Sequence, residues 1–312
     1  MLISFVIPCY RSVKTLPKVV ATIQETLKGH PDFDSEIILV NDASPDDTWG
    51  TIRSLCSEYG NVKGIDLAKN SGQQAAIMAG LRYTRGDLVA VSDDDGQTPI
   101  ETVFEFYDEM ERGGYDVVCA DYQDRGKRTL FRRLGSWADN TMMRMFVDKP
   151  DDIGLSVYFL AKRFVVDEII KYNNAYPHME GLVIRTTLNI GNVKVDQKER
   201  DSGSSGYTLS KLASTWVDGL TTFSIKPLRI AIIFGMLFAT AGFVILIALA
   251  VIKLTGPKMA HGWTSLIATN ILIGGMIMMM LGVIGEYIGR IYLCLNHNPQ
   301  YVVREIIDND KE

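Results

Sequence analysis

Three consecutive aspartates, Asp93, Asp94 and Asp95, come directly after a short apolar run and are followed by Gly96 and Gln97. Asp95 and Gln97 carry oxygen donors at alternate positions, and such donors are the ligands that Mg²⁺ and Mn²⁺ prefer. Adjacent carboxylates repel one another, which costs stability unless a cation offsets their charge. A divalent-cation site is therefore one interpretation of this segment, and a solvated acidic turn is the other.

The chain around these aspartates alternates between strand and helix. The predicted strands cover residues 3–7, 36–40, 62–67, 88–92 and 115–121, and the predicted helices cover residues 16–27, 48–59, 71–82 and 103–111. Less regular strands are expected at 157–160 and at 192–195, the latter at a sheet edge, with a helix over 164–172 between them. Regular alternation with apolar strands predicts an α/β domain whose mostly parallel sheet is covered by helices on both faces.

Polar residues follow four of these strands, and the carboxyl ends of parallel strands meet at one edge of a sheet. Asp42 can accept a hydrogen bond from a base or ribose, and Tyr10 can pack on a ring. A cation at Asp95 and Gln97 can bridge a diphosphate. The edge therefore predicts a nucleoside-diphosphate site. The sequence contains no Walker A or GxGxxG motif, so ATPase and dinucleotide-binding interpretations lack their usual pattern.

Composition narrows the function classes. The formal net charge is −5 over 312 residues, which argues against a nucleic-acid partner. The four cysteines (Cys9, Cys56, Cys119 and Cys294) are dispersed, which is typical of a reducing compartment rather than a disulfide scaffold. The four histidines are scattered too, so no zinc site is predicted.

Two long uncharged runs, 230–252 and 262–285, predict membrane-spanning helices. The sequence opens on a short strand-like run without a basic leader, which favours a cytoplasmic catalytic domain and C-terminus in the inner membrane. The expected division is a catalytic domain over 1–207, an amphipathic juxtamembrane helix over 208–228, membrane helices over 229–254 and 262–286, and a cytoplasmic tail over 287–312. The glycine-rich second run and the strand-like residues 301–303 suggest a homo-oligomer.

Several motifs occur in a fixed order along nearly the whole chain. They lie at residues 5–10, 40–48, 70–76, 93–99, 200–207, 223–229 and 285–292. With these motifs the chain resembles the inverting family 2 glycosyltransferases, which have a GT-A (Rossmann-like) fold. Within that family it resembles the polyprenyl-phosphate glycosyltransferases, a group that includes dolichol-phosphate mannose synthase and bacterial undecaprenyl-phosphate sugar transferases.

The resemblance implies a role for each matching residue. Asp95 and Gln97 would hold Mg²⁺ or Mn²⁺, with Asp93 close by. For Asp94 the expectation comes from strand geometry instead: it points to the other side of an extended strand and is expected to make only local hydrogen bonds. The implied nucleoside contacts are Pro8, Tyr10, Asp42 and Asp93, and the implied catalytic residues are Asp93, Asp95 and Arg200, the last of which would meet phosphate. The partners would be a UDP- or GDP-linked sugar and polyprenyl phosphate, for cell-envelope glycan or glycolipid modification.

The acceptor site is where the chain departs from the family pattern. Tyr158 and Gly206 stand where many members have a cation, and Gly96 replaces a common leucine. The basic segment 125–133 can supply the missing charge for the acceptor phosphate, or it can be a solvated helix face. The candidate acceptor-phosphate residues are Arg128, Arg132, Arg133 and Ser205, and loops at 154–158 and 178–185 are expected to shape the sugar pocket.

Three other functions fit parts of the pattern. A processive polysaccharide synthase shares the acidic cluster, but its Gln-x-x-Arg-Trp motif is missing from the sequence. A haloacid-dehalogenase-type phosphatase would use Asp93-x-Asp95, although that motif normally follows the first strand of the domain. A catalytically lapsed membrane scaffold is the third alternative, because two family cations are replaced.

Overall fold

The computed structural model describes residues 1–122, 153–174, 177–196, 263–295 and 299–309, together with isolated helical positions between 233 and 247. The chain folds as two compact units. The first comprises Met1–Thr208 and His297–Glu312, and the second comprises Leu209–Asn296. The C-terminal segment therefore belongs to the same unit as the N-terminal part of the chain.

Strands and helices alternate through the first part of this unit, as the apolar periodicity predicts. In chain order they are β1 (Leu2–Cys9), α1 (Leu16–Lys28), β2 (Asp34–Asn41), α2 (Thr48–Glu58), β3 (Val62–Leu67), α3 (Gln73–Leu81), β4 (Leu88–Val91), a 3₁₀ turn (Ile100–Thr102), α4 (Val103–Gly113) and β5 (Val117–Tyr122). The later elements are β6 (Phe159–Lys162), α5 (Arg163–Ile169), α6 (Met179–Thr186), β7 (Ile190–Val195) and β8 (Val303–Ile307).

The described strands form one eight-stranded sheet in the order β7-β5-β6-β4-β1-β2-β3-β8. β6 and β8 run antiparallel to their neighbours, and the other strands are parallel to one another. The prediction of an α/β fold with a mostly parallel sheet is therefore confirmed. β1 pairs with β2 as far as Cys9 and Asn41, while Val6 pairs with Val91 of β4. This register brings the carboxyl ends of the central strands together at one edge.

Helix α3 packs unusually close to the central strands. A Cβ atom at Gly80 would lie 2.4 Å from Val6 Cγ1 and 3.1 Å from Val40 Cγ2, so only glycine permits this distance. Residues 75–81 of the helix are all buried. The close contact fixes the N-terminus of α3 beside the strand ends.

One predicted loop is a helix. We expected residues 178–185 to form a loop that shapes the sugar pocket, but Met179–Thr186 forms α6. The His178 side chain accepts a hydrogen bond from the Gly181 backbone N–H, which caps the helix, and Met179, Leu182 and Val183 are buried. The helix has only eight residues, too few for their apolar pattern to distinguish it from a loop, and histidine is a cap residue that rarely signals a helix start.

The C-terminal segment returns to the sheet. β8 pairs antiparallel with β3, from Gly64 with Ile307 to Leu67 with Val303, with a register shift between Asp66 and Leu67. The strand-like character of residues 301–303 suggested contact with a second copy of the chain. In the structure this stretch instead leads into a strand that pairs within its own chain.

The second unit contains α7 (Trp263–Leu295), which is 33 residues long. Large apolar side chains on it are exposed, among them Leu266, Ile277, Met278 and Leu281. Within the part of the chain that the structure describes, no helix meets the combined length and hydropathy of a membrane span. The two spans expected at 229–254 and 262–286 thus stay predictions, and most of the first lies outside the described residues.

Candidate active site

Asp42 stands at the end of β2 and joins two loops of the carboxyl edge. Its carboxylate accepts hydrogen bonds from the backbone N–H groups of Ser71 (2.7 Å) and Gly72 (2.8 Å), directly before α3. Burial raises the pKa of this carboxyl, and the two backbone hydrogen bonds oppose that shift. Each carboxylate oxygen accepts more than one hydrogen bond. Asp42 therefore orders the α3 loop and keeps acceptor capacity for a ligand.

Asp94 holds the turn that follows β1. Its carboxylate accepts hydrogen bonds from the Tyr10 backbone N–H (2.9 Å) and from the Ser12 hydroxyl. Burial raises the pKa of Asp94, while the bonds from Ser12 and Tyr10 lower it. Arg11, between them, has a φ of 60°, a conformation that few residues other than glycine adopt. Asp94 was expected to make only local hydrogen bonds, whereas its two partners lie 84 and 82 positions away in the chain, on the turn after β1.

The same turn presents an aromatic ring to solvent. Tyr10 is 44% exposed, and the Arg11 guanidinium lies 5.6 Å from the centre of its ring. Pro8, the other implied nucleoside contact on this strand, is buried in β1 beside Val40. Tyr10 rather than Pro8 therefore offers an accessible surface on which a planar base could stack.

The carboxyl group of Asp93 at this edge has a strongly shifted pKa. Its pKa is raised to about 6, first by burial and then by repulsion from Asp95 and Asp94. Gln73, at the start of α3, donates a hydrogen bond to Asp93 Oδ1 at 2.6 Å and acts in the opposite direction. A bound cation would favour the ionised form of this carboxyl.

Gln73 was not among the predicted site residues, although it lies in the motif at residues 70–76 that supported the family resemblance. Its neighbour Gln74 accepts a hydrogen bond from the Met179 backbone N–H (2.8 Å), so the two glutamines connect α3 to the acidic turn and to α6. The pair of amide side chains directly after Ser71-Gly72 is the sequence feature that could have indicated a site residue here. The pair does not show that the Gln73 amide would bind Asp93.

The acidic turn itself is compact. Asp95 Oδ1 accepts a hydrogen bond from the Gln97 backbone N–H at 2.9 Å, and Gly96 between them has a φ of +71°. That left-handed conformation favours glycine, which accounts for Gly96 at this position.

Metal binding at this turn depends on the donors that it offers. Among the described residues no three histidine, cysteine, aspartate or glutamate side chains form a group that could enclose a metal ion. Mg²⁺ commonly takes only one or two carboxylates and completes its shell with substrate phosphates and water. The donor set of Asp93, Asp95 and the Gln97 amide fits that mode of binding.

A buried tyrosine braces the far end of the turn. Tyr158 is 1% exposed, and its ring lies 4.6 Å from the Phe106 ring. Its hydroxyl lies 3.3 Å from Thr102 Oγ1 and 3.4 Å from the Pro99 carbonyl oxygen. Position 158 is thus part of the core behind the acidic turn. Because the side chain is enclosed, its replacement of a family cation does not remove charge from an open surface.

The predicted phosphate-binding residues cannot be placed. Arg200 and Ser205, and the basic residues Arg128, Arg132 and Arg133, lie outside the described residues. The structure thus brings together Tyr10, Asp42, Asp93 and the Asp95–Gln97 turn at one edge, and the acceptor side of the site stays a prediction.

Comparison with known proteins identifies the family. The model of glycosyl transferase family 2 matches residues 4–170, and that of the GtrB C-terminal hairpin matches residues 226–291. The chain is 32% identical over 302 residues to an uncharacterized glycosyltransferase, YkcC, of Bacillus subtilis (strain 168), covering 97% of this chain and 93% of that protein.

Two further relatives have more specific names. The undecaprenyl-phosphate 4-deoxy-4-formamido-L-arabinose transferase of Proteus mirabilis (strain HI4320) is 31% identical, with 98% of this chain and 94% of the relative covered. The bactoprenol glucosyl transferase of Shigella phage SfV is 28% identical, with 97% and 98% covered.

Solved structures agree on the fold. Glucosyl-3-phosphoglycerate synthase of Mycobacterium tuberculosis, in complex with Mn²⁺, UDP-glucose and phosphoglyceric acid, superposes with a TM-score of 0.54 at 19% identity, covering 71% of this chain and 78% of that one. The relatives named above include polyprenyl-phosphate glycosyltransferases, and the first family model spans more than half of the chain. The chain therefore belongs to glycosyl transferase family 2.

Proposed function

We propose that this protein transfers a sugar from a nucleotide-sugar to a polyprenyl phosphate, with inversion at the anomeric carbon, at the cytoplasmic face of a membrane. The observation that carries the proposal is the gathering of Tyr10, Asp42, Asp93 and Asp95 at one strand-end edge in a family 2 glycosyltransferase. Relatives that match almost the whole chain act, by their names, on bactoprenol or undecaprenyl phosphate.

The donor fits the geometry of the edge. A nucleoside would stack on the exposed Tyr10 ring and meet the buried Asp42 carboxylate, which has acceptor capacity toward a base or ribose. The diphosphate would then lie toward Asp93 and Asp95. UDP is the nucleotide present in the solved structure of similar fold, and a GDP-sugar is the alternative donor.

A divalent cation completes the donor site in this proposal. Mn²⁺ accompanies UDP-glucose in the solved structure of similar fold, and the two carboxylates and one amide of the turn fit either Mn²⁺ or Mg²⁺. The cation would supply positive charge to the departing nucleoside diphosphate. Gln73 and Asp94 act on the protein side: Gln73 orients Asp93, and Asp94 holds the Tyr10 turn in place.

The acceptor explains why no strong base is needed at the site. A phosphate monoester is largely anionic at neutral pH, so its oxygen can attack the anomeric carbon directly. Attack from the side opposite the leaving diphosphate inverts that carbon. The chain's contribution is to position the reactants and to neutralise charge. Arg200, Ser205 and the basic segment 125–133 are the proposed phosphate contacts.

Membrane attachment is supported by the sequence. The runs 230–252 and 262–285 carry no charged residue and have the length of membrane helices. The glycine-rich second run provides small residues for contact between copies in a homo-oligomer.

The direct test uses purified full-length protein with undecaprenyl phosphate, labelled nucleotide-sugars and Mg²⁺ or Mn²⁺. We expect a lipid-linked sugar whose anomeric configuration is opposite to that of the donor. Undecaprenol without the phosphate is the matched control and should give no product. Absence of lipid-linked product with every UDP- and GDP-sugar tried would refute the proposal.

A further inference from the structure

The C-terminal strand places a cation behind the proposed nucleotide site. Arg304 of β8 lies with Nη1 3.1 Å from Asp66 Oδ2, and its Nη2 donates to the Ala68 carbonyl oxygen at 2.9 Å. The Asp66 side chain is only 3% exposed, whereas that of Arg304 is 59% exposed. The arginine therefore reaches from the surface to an otherwise enclosed carboxylate at the end of β3.

The second oxygen of Asp66 continues this contact toward the site. Asn41, its cross-strand partner at the end of β2, donates from Nδ2 to Asp66 Oδ1 at 2.7 Å. The other end of the same amide accepts a hydrogen bond from the Ser44 backbone N–H at 3.2 Å. Because Asp66 only accepts, it dictates which way the Asn41 amide faces. That orientation in turn presents the amide oxygen to Ser44.

The Asn41–Ser44 turn belongs to the edge to which the proposed function assigns the nucleoside. It contains Asp42, and Ala43 adopts a left-handed φ of 47°, which needs support from its surroundings. The Ser44 hydroxyl accepts a hydrogen bond from the Arg11 backbone N–H at 2.8 Å. The chain of contacts thus runs from β8 through two buried polar side chains to the turn that presents Tyr10.

We propose that Arg304 is a positioning residue for nucleotide binding, acting through Asp66 and Asn41 on the Asn41–Ser44 turn. The inference rests on the proposed function, because it assigns that turn to the nucleotide. Removing the guanidinium would leave Asp66 a buried carboxylate with one neutral donor, and the turn would spend less time in its binding conformation. The apparent affinity for a ligand falls in proportion to that fraction.

The same strand supplies a matched control. Glu305, next to Arg304, pairs with Arg53 of α2 at 2.7 Å, and both side chains are about half exposed. Arg53→Gln breaks that contact between the tail and the domain but leaves Asp66 and Asn41 untouched. If β8 had only a structural role, Arg304→Gln and Arg53→Gln would have the same effect on nucleotide affinity.

The test compares Arg304→Gln, Arg304→Lys and Arg53→Gln in the full chain. The readouts are the dissociation constants of UDP and of GDP by calorimetry, KM and kcat for the nucleotide-sugar, and the melting temperature. We expect Arg304→Gln to raise the dissociation constant and KM about tenfold with kcat within about twofold, since the lost bonds involve a charged pair. Arg304→Lys should recover part of the affinity, and Arg53→Gln should change neither constant.

Each other outcome is decisive. Unchanged nucleotide affinity in Arg304→Gln, or equal effects in Arg304→Gln and Arg53→Gln, would overturn the inference. A further variant, Asp66→Asn, keeps an oxygen for Asn41 and removes the charge, so its effect should not add to that of Arg304→Gln. Full additivity would show that Arg304 acts elsewhere. A wild-type protein that binds neither UDP nor GDP would overturn the proposed function itself.

Discussion

Carboxylates occur toward both ends of the parallel strands, but they are held differently. Glu36, in the first half of β2, accepts a hydrogen bond from Ser4 Oγ at 2.6 Å and pairs with Lys63 at 3.1 Å, and both members of the ion pair are almost fully buried. At the other end, Asp93 is held by the neutral Gln73 amide and Asp94 by a hydroxyl and a backbone N–H.

The difference separates a structural acid, Glu36, from acids that we propose bind a ligand. An acid that is buried with a cationic partner is neutralised within the fold, so its contribution is to stability. Carboxylates that repel one another, and are held by neutral donors, gain most from an added cation. The pKa of Asp93 is raised first by burial and then by this repulsion. We therefore expect substitutions at the two ends to separate activity from stability.

The largest expected effect is on catalysis at the acidic turn. Asp95→Asn should lower kcat about 100- to 1,000-fold, because in the proposed function Asp95 would help to hold the cation that neutralises the departing diphosphate. The melting temperature without metal should not fall, since a repulsive charge is removed. Asp94→Asn is the matched control: an amide oxygen can still accept from Tyr10, so its loss of kcat should be far smaller. Equal losses of kcat in the two variants would contradict the separate roles proposed for Asp95 and Asp94.

The opposite result is expected for Glu36→Gln. The variant keeps an acceptor for Ser4 but leaves buried Lys63 without its nearest carboxylate. The free energy of unfolding should therefore fall by about 2 kcal/mol. Asp308, 3.6 Å from Lys63, limits the cost. Chemical denaturation measures the change, and kcat of the folded protein should stay within about twofold. A loss of kcat in Glu36→Gln as large as that in Asp95→Asn would contradict the proposed difference between the two ends of the strands.

Stabilisation of the folded protein by metal and nucleotide should also differ between Asp95→Asn and Glu36→Gln. Mn²⁺ together with UDP at 100 times its dissociation constant should stabilise the wild-type protein by about 2.7 kcal/mol, as any ligand selective for the folded state does. Asp95→Asn should lose most of this stabilisation, whereas Glu36→Gln should keep it. A metal-dependent shift of equal size in Asp95→Asn would place the cation elsewhere. EDTA should reverse the wild-type shift.

The shared edge was predictable because it depends only on periodicity. Apolar runs of five or six residues separated by helices imply parallel strands, and parallel strands bring Tyr10, Asp42 and Asp93 to one edge whatever their exact register. The donor to Asp93 was not predictable in this way. Gln73 reaches it because Gly80 lets α3 approach the sheet, a packing distance that no local pattern encodes.

Contacts between distant parts of the chain could not be predicted from the sequence either. Arg304 and Asp66 are separated by 238 positions, and a five-residue strand near the C-terminus does not show which sheet edge it will join. The role of Tyr158 was missed for a related reason. Its replacement of a family cation suggested a change at an open surface, whereas burial of the side chain could be seen only once β6 and α4 were in place.

The smallest expected effect is that of Tyr158→Phe. The Pro99 carbonyl oxygen already accepts from the Thr102 hydroxyl at 2.7 Å and from its backbone N–H at 2.9 Å, so the tyrosine hydroxyl is a third, longer contact. Its loss should lower the free energy of unfolding by less than about 1 kcal/mol. Thr102→Val removes the shorter bond and should cost more. Denaturant titration of both variants measures the order; a larger cost for Tyr158→Phe would make the ring's hydroxyl, rather than Thr102, the main support of the acidic turn.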